Sequence, residues 1–168
     1  MSLFPVNIYL ALKTELEDKL NFYIDMIDIR KYRRTNLPDF ENYCIIISPL
    51  SAKSMPYQAG GQRWIWNVID IIILGKMRSN EYDAVMADEP HAEPPNVGIL
   101  AMYEDVFSVL YKNNLNGEIE LIPGIEELDT NCEFSIISDE DREEFIIESR
   151  LPYLPRGHKF INLEEWES

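Results

Sequence analysis

The stretch Gly60–Met77, GGQRWIWNVIDIIILGKM, decides the fold. Residues 62–74 are too β-branched and aromatic to favour a helix, and Gly61 and Gly75 bound the run, so one long strand is expected. Alternation places Trp64, Trp66, Val68, Asp70 and Ile72 on one face, and Ile65, Asn67, Ile69, Ile71 and Ile73 on the other. Both sets are mostly apolar, which makes the C-terminal half of the strand central and covered on both sides. The tryptophan end lies beside a Gly-Gly turn, where a core reaches least. Trp64 and Trp66 are therefore either core residues or anchors buried by another chain, aromatic anchors being enriched at interfaces.

Elements of the opposite period flank this strand. From Val6 to Ile27 the pattern is helical, with Leu12, Leu16, Leu20, Tyr23 and Ile27 on one stripe and Glu15, Asp18, Lys19 and Asp25 off it. A basic cluster follows, Arg30, Lys31, Arg33 and Arg34; it is either a solvated, salt-bridged face or a docking patch. The run Tyr43–Ile47 is a short buried strand stopped by Pro49. Residues 76–95 are polar, the stretch DEPHAEPP within them is expected to hold no regular structure, and the whole segment is expected to be mobile until a partner orders it. A second helix is expected behind Pro94-Pro95 with Asn96 as its N-cap. Ile99, Tyr103, Val106 and Leu110 share a face of it, Leu100 and Phe107 widen that face, and Leu115-Asn116-Gly117 closes it. Three further strands are expected, in GEIELIPG, CEFSIIS and EEFIIESRLPYL, the last two joined by a hairpin-sized turn at DEDR.

The fold class is accordingly α+β: a mixed, mainly antiparallel sheet packed by two main helices. Residues 1–153 form a single domain, and 154–168 form a C-terminal arm. The arm carries Phe160, Ile161, Leu163 and Trp166 beyond a sheet that looks complete at Tyr153–Leu154, and Pro155 and Gly157 disfavour its continuation as strand.

Charge narrows the function. The chain has 168 residues with 15 Lys and Arg against 30 Asp and Glu, a net charge of −15. That balance opposes a grip on phosphate backbones but allows DNA to pass nearby. The first residues lack a secretory apolar core, and no apolar run reaches the roughly 20 residues that cross a bilayer, so a cytosolic, membrane-free protein is expected. Cys44 and Cys132 read as buried free thiols rather than a disulfide. With two histidines lacking metal-ligand spacing, no zinc site is expected. The acidic run SDEDREE lacks calcium-loop geometry and reads as a solvated face. No phosphate loop, nucleophile elbow or evident Cys-His pair appears, so neither catalytic residues nor a cofactor are expected.

The order of elements, CIIISP before a turn with Gln58, Gly60, Gly61 and Gln62, and VFSVLYKNNLNG followed by strands together resemble the tail terminator proteins of long-tailed bacteriophages and related tail-completion and head–tail joining proteins. The resemblance covers roughly residues 9–153 and leaves 154–168 outside. It implies a virion structural protein, not an enzyme, that assembles in the host cytoplasm and sits at the tail–neck junction. Such proteins form a homo-oligomeric ring, a hexamer, that caps the tail tube protein and meets a neck or head-completion protein. DNA passes through the lumen without specific binding. In such a ring Arg30, Lys31, Arg33, Arg34, Trp64, Trp66, Phe160, Ile161 and Trp166 become candidate subunit or partner contacts. Two other classes fit the residues alone: an acidic inhibitor or immunity-type protein that binds a basic partner, and a small carboxylate-dependent enzyme.

Overall fold

The fold is described from a computed structural model. It describes residues 4–54, 62–77, 80–119, 121, 124, 126–128, 133–139 and 144–160, as backbone alone at 4–5, 52–54, 62–67, 139 and 156–160. Helix α1 (Phe4–Leu20) is followed by β1 (Met26–Ile29), β2 (Tyr43–Ser54) and β3 (Gln62–Lys76). Then come α2 (Glu81–Met86), a small ladder of β4 (Asp88–Glu89) with β5 (Asn96–Val97), and α3 (Ile99–Leu110). A 3-10 turn (Leu115–Gly117) leads to β6 (Glu133–Asp139), β7 (Glu144–Tyr153) and β8 (Arg156–Phe160). The main sheet runs β1-β2-β3-β7-β6, and β8 also pairs with β3. Among the described strands, only β1 against β2 is parallel. The chain is thus α+β with a mainly antiparallel sheet.

The long strand has the two faces that its alternation demands. Ile69, Ile71 and Ile73 join Ile45 and Ile47 of β2 in the larger core cluster, under Ile8, Leu12, Leu16 and Leu20 of α1 and Ile99, Met102, Val106 and Leu110 of α3. Each helix contributes one residue per turn to that layer, the spacing of a buried helical stripe. On the opposite face Ile72 and Leu74 meet Cys44, Ile46, Ile146 and Phe40. No helix covers this back face among the described residues. It is covered instead by the chain between β1 and β2, a strap that lays Tyr32, Leu37 and Phe40 on the sheet.

Several sequence expectations are corrected. The first helix stops at Leu20, not Ile27, and β1 follows. Tyr23 and Ile27 kept the helical stripe alive because both are buried in the same core as Leu20, yet from Asp25 the backbone is tied to β2. Asp25 accepts hydrogen bonds from the Asn42 and Tyr43 N–H groups at 2.6 and 2.7 Å. Pro49 does not end β2; a register shift between Pro49 and Ser51 absorbs its missing donor and the strand runs on to Ser54.

The described part of the segment 76–95 holds regular structure in α2 and β4, while residues 90–94 form turns and bends. Asn80 caps α2 by accepting from the Asp83 N–H at 2.8 Å, and the Tyr43 hydroxyl donates to the Pro95 carbonyl at 3.0 Å while accepting from the Val97 N–H at 2.9 Å. Asn96 is not the N-cap of α3. That place belongs to Gly98, where a Cβ would stand 2.5 Å from the Val85 carbonyl, so the close passage of two backbones selects glycine there. GEIELIPG shows no strand among its described residues. Positive φ at Leu115, Asn116, Gly117 and Gly124 (52°, 56°, 87° and 78°) turns the chain instead.

The sheet is also not complete at Leu154. Ile69 pairs with Tyr153 and Trp66 with Arg156, so three steps on one strand match three on the other and β8 continues β7 in one register. The interruption is local. Pro155 has no N–H to give, and the Leu154 N–H turns to the Glu127 carbonyl at 2.6 Å.

Candidate subunit and partner interface

The basic cluster does not stand together as a patch. Arg34 folds onto β7, where its Nη2 and Nε donate to the two oxygens of Glu148 at 2.7 and 3.2 Å. Its Nη2 also lies 3.5 Å from Ser135 on β6. The Tyr32 hydroxyl donates to the same Glu148 carboxylate, and the Tyr32 N–H donates to Ser48 Oγ at 3.0 Å. Lys31 Nζ donates to the Pro49 carbonyl at 3.1 Å, and Arg30 Nε lies 3.7 Å from Asp28. The side chains of Lys31 and Arg33 are exposed. Arg34 is thus the strap's clasp.

The clasp answers a problem that the back face sets. Glu148 is only 1% exposed and Asp70 only 3%. Both carboxylates sit in a sheet interior where an unpaired charge is very costly. Asp70 is met by Arg150 from the next strand, with Nε at 2.9 Å and Nη2 on the same oxygen. Register explains why these groups meet: Leu74 pairs with Glu148 and Ile72 with Arg150, which puts Asp70, Glu148 and Arg150 on one face. The Arg150 guanidinium also lies over the Tyr32 ring, 5.9 Å from its centre. Burial and the Glu148 carboxylate together raise the Tyr32 hydroxyl pKa well above its ordinary value, which keeps it a donor. Sequence reading missed this network. A signal was present, since ESR in β7 and the lone Asp70 in β3 are charges of matching parity inside apolar strands.

The tryptophans lie on another part of the sheet. Gln62–Trp66 of β3 pair on one side with β8 and on the other, from Ile65, with the end of β2. This ribbon carries the sheet from Ile69 to Gln62, about 23 Å further at strand rise. Trp64 and Trp66 stand in it at register positions opposite His158 and Arg156, and Phe160 ends it opposite Gln62. Ile161 and Trp166, like Gln58, Gly60, Gly61 and Cys132, lie outside the described residues. Cys44 is a buried free thiol whose pKa is pushed up to about 12 by burial and by the charge of Asp28.

No group of three or more His, Cys, Asp or Glu among the described residues is placed to hold a metal ion. No helix among them is long and apolar enough to cross a membrane. Compared with protein-family models and with curated protein sequences, the chain matches none.

Proposed function

We propose that this chain is a structural virion protein, a tail terminator whose copies close into a ring that caps the tail tube and joins it to the neck or head. The observation that carries the reading is the ribbon of β2, β3 and β8, which carries the sheet on from Ile69 to Gln62 with Trp64 and Trp66 in it. A strand end of that kind suits a head-to-tail contact that closes by rotation. The charge supports the same reading. Six copies at −15 each give about −90, enough to keep DNA sliding through a lumen rather than sticking to its wall. The ring's other partners are then the tube protein and a neck or head-completion protein, and its place is the tail–neck junction of a particle assembled in the host cytoplasm.

Mass photometry or sedimentation of the purified chain tests this. A species of about six subunits is expected, with Trp64→Ala and Trp66→Ala weakening assembly by about 2 kcal/mol or more at a packed anchor. A stable monomer at micromolar concentration overturns the ring and favours the acidic inhibitor class. Submicromolar binding of double-stranded DNA at physiological salt overturns the passive lumen.

A further inference from the structure

The helix side of the sheet is covered unevenly. Helix α3 buries Ile99, Met102, Val106 and Leu110, yet its outward stripe is also apolar: Leu100, Tyr103, Phe107 and Tyr111. A helix apolar on both sides is normally covered on both. The outward rings form a row, with centres 6.1 Å apart for Tyr103–Phe107 and 5.6 Å for Phe107–Tyr111. Tyr103 then meets Phe134 of β6 edge to face at 5.7 Å. Two residues along β6 comes Ile136, and Phe145 of β7 is its diagonal neighbour across the ladder. Phe134, Ile136 and Phe145 are 42, 51 and 56% exposed, and Tyr111 is 44% exposed. At about 150–250 Å² for each of the three aromatic side chains, with Ile136 between them, these four leave roughly 350 Å² of apolar surface in water, the size of the largest patch on a monomer, which is often functional.

The strip ends on a strand edge. β6 is the last strand of the described sheet on its side, and its sequence EFSIISD has no Lys, Pro or bulge to blunt it. We infer that this edge takes up an extended segment of a different protein, with apolar residues alternating with Lys or Arg, which adds to β6 as a further strand. Its apolar side chains lie on Phe134, Ile136 and the Tyr103 ring. Its basic side chains fall on the other face of the pleat, where Glu133 is exposed. Charge selects this occupant. α3 and β6 carry Glu104, Asp105, Glu133 and Asp139 and no Lys or Arg. Among the described residues Lys112 lies over the Tyr111 ring at one end of the strip, and on the other face Arg34 beside Ser135 and Arg150 opposite Glu133 are each already paired with a buried carboxylate. A second copy pairing β6 with β6 would set acid against acid. A copy offering its Lys31–Arg33 region would bring, among the described residues, Leu50 as the neighbouring exposed large apolar residue, too little to cover the strip.

The inference does not rest on ring formation, which mass photometry of the wild-type chain reads separately. The probe is a blocked Lys-Val repeat of about ten residues, long enough for one strand. Its binding to the full chain is followed by fluorescence anisotropy beside a Lys-Ser repeat of the same charge. The Lys-Val peptide is expected to bind and the Lys-Ser peptide to bind at least about tenfold more weakly. Ile136→Asp is the decisive variant. It makes the chain more acidic, so a merely electrostatic attraction strengthens, whereas a seated strand is lost by about tenfold or more. Phe145→Asp, on the neighbouring strand, gives the same loss, and circular dichroism confirms that each variant keeps the fold. Equal binding of the two peptides overturns the proposal, as does unchanged or tighter binding to both variants. It also fails if the wild-type chain self-associates and Ile136→Asp dissolves the assembly, because the occupant is then a second copy.

Discussion

Replacing Arg34 with Met removes the clasp's charge and keeps most of its length. Glu148 is then left in a site that is 1% exposed, with the Tyr32 hydroxyl as the strap's remaining donor to it. Breaking a buried pair by removing one partner costs about 3–5 kcal/mol. Two features lower that figure. The Arg34 side chain is 47% exposed, so water already screens part of the pair, and the Tyr32 bond survives. A loss of about 2–3 kcal/mol follows, or roughly 5–10 °C in Tm for a chain of this length. Urea unfolding measures it as a lower midpoint at unchanged slope. Adding Glu148→Gln to Arg34→Met removes the stranded charge, so the double variant should recover more than half of the loss. Lys13→Met, at the exposed Lys13–Glu17 pair on α1, is the control and should cost less than about 0.5 kcal/mol. If Arg34→Met costs no more than this control, Tyr32, Leu37 and Phe40 hold the strap without Arg34 and the clasp argument is wrong.

Three other outcomes follow from the same geometry. Below the ordinary thiol range Cys44 is protonated both folded and unfolded. As pH rises toward its raised value of about 12, the unfolded chain loses the proton first and stability falls. Between about pH 8 and pH 10.5 that loss is about 2 kcal/mol, and Cys44→Ala should abolish that part of the decline in urea titrations at the two pH values. Gly98→Ala drives a methyl into the Val85 carbonyl and should cost about 1–3 kcal/mol, with faster proteolytic nicking between Lys76 and Pro95; unchanged protection would show that this segment is not held there. Tyr153→Phe removes a fully buried hydroxyl that has no hydrogen-bond partner among the described residues, so stability should hold or rise by up to about 1 kcal/mol, and a clear loss would reveal a partner.

The sheet was legible where one period ran uninterrupted. Gly60–Met77 announced a strand covered on both faces, and Ile69–Leu74 are buried on both. CEFSIIS and EEFIIESRLPYL announced the hairpin of β6 and β7. Legibility failed where tertiary contact outweighed local pattern. Tyr23 and Ile27 fit a helical stripe and a strand buried in the same core equally well, so the pattern could not place the end of α1. Gly98 became the helix cap because of a backbone passing 2.5 Å from its absent Cβ, which no window around Asn96 reveals. The candidate contacts divided in the same way. Arg30–Arg34 looked like one patch because they are neighbours in sequence, but Glu148, more than a hundred residues away, claims Arg34 for the back face. The strip on Phe134, Ile136 and Phe145 was readable only as strand; that α3 would leave it uncovered depends on where the helix crosses the sheet.

β8 also decides how the C-terminal arm must be tested. Removing Arg156–Ser168 takes away a strand as well as a tail, because Arg156–Phe160 pair with Trp66–Gln62 of β3. The lost hydrogen bonds are worth about 0.5–1.5 kcal/mol each, but ordering those residues costs about 1–2 kcal/mol apiece, so the net change in stability is small. The larger consequence is an opened edge on β3, and an unpaired edge recruits other strands. That truncation should therefore aggregate, and its failure to form a ring would say nothing about the arm. A chain ending at Phe160 keeps the edge paired and removes only Ile161–Ser168, including Leu163 and Trp166. Eight residues reach at most about 28 Å, whereas Phe160 lies thirteen strand positions, about 43 Å, from the residue paired with Ile136. The tail thus cannot cover the β6 strip of its own chain. If it packs on a neighbouring subunit, the chain ending at Phe160 stays folded by circular dichroism and sediments as a monomer. Normal assembly of that chain removes the tail from the mechanism and leaves the ribbon as the contact.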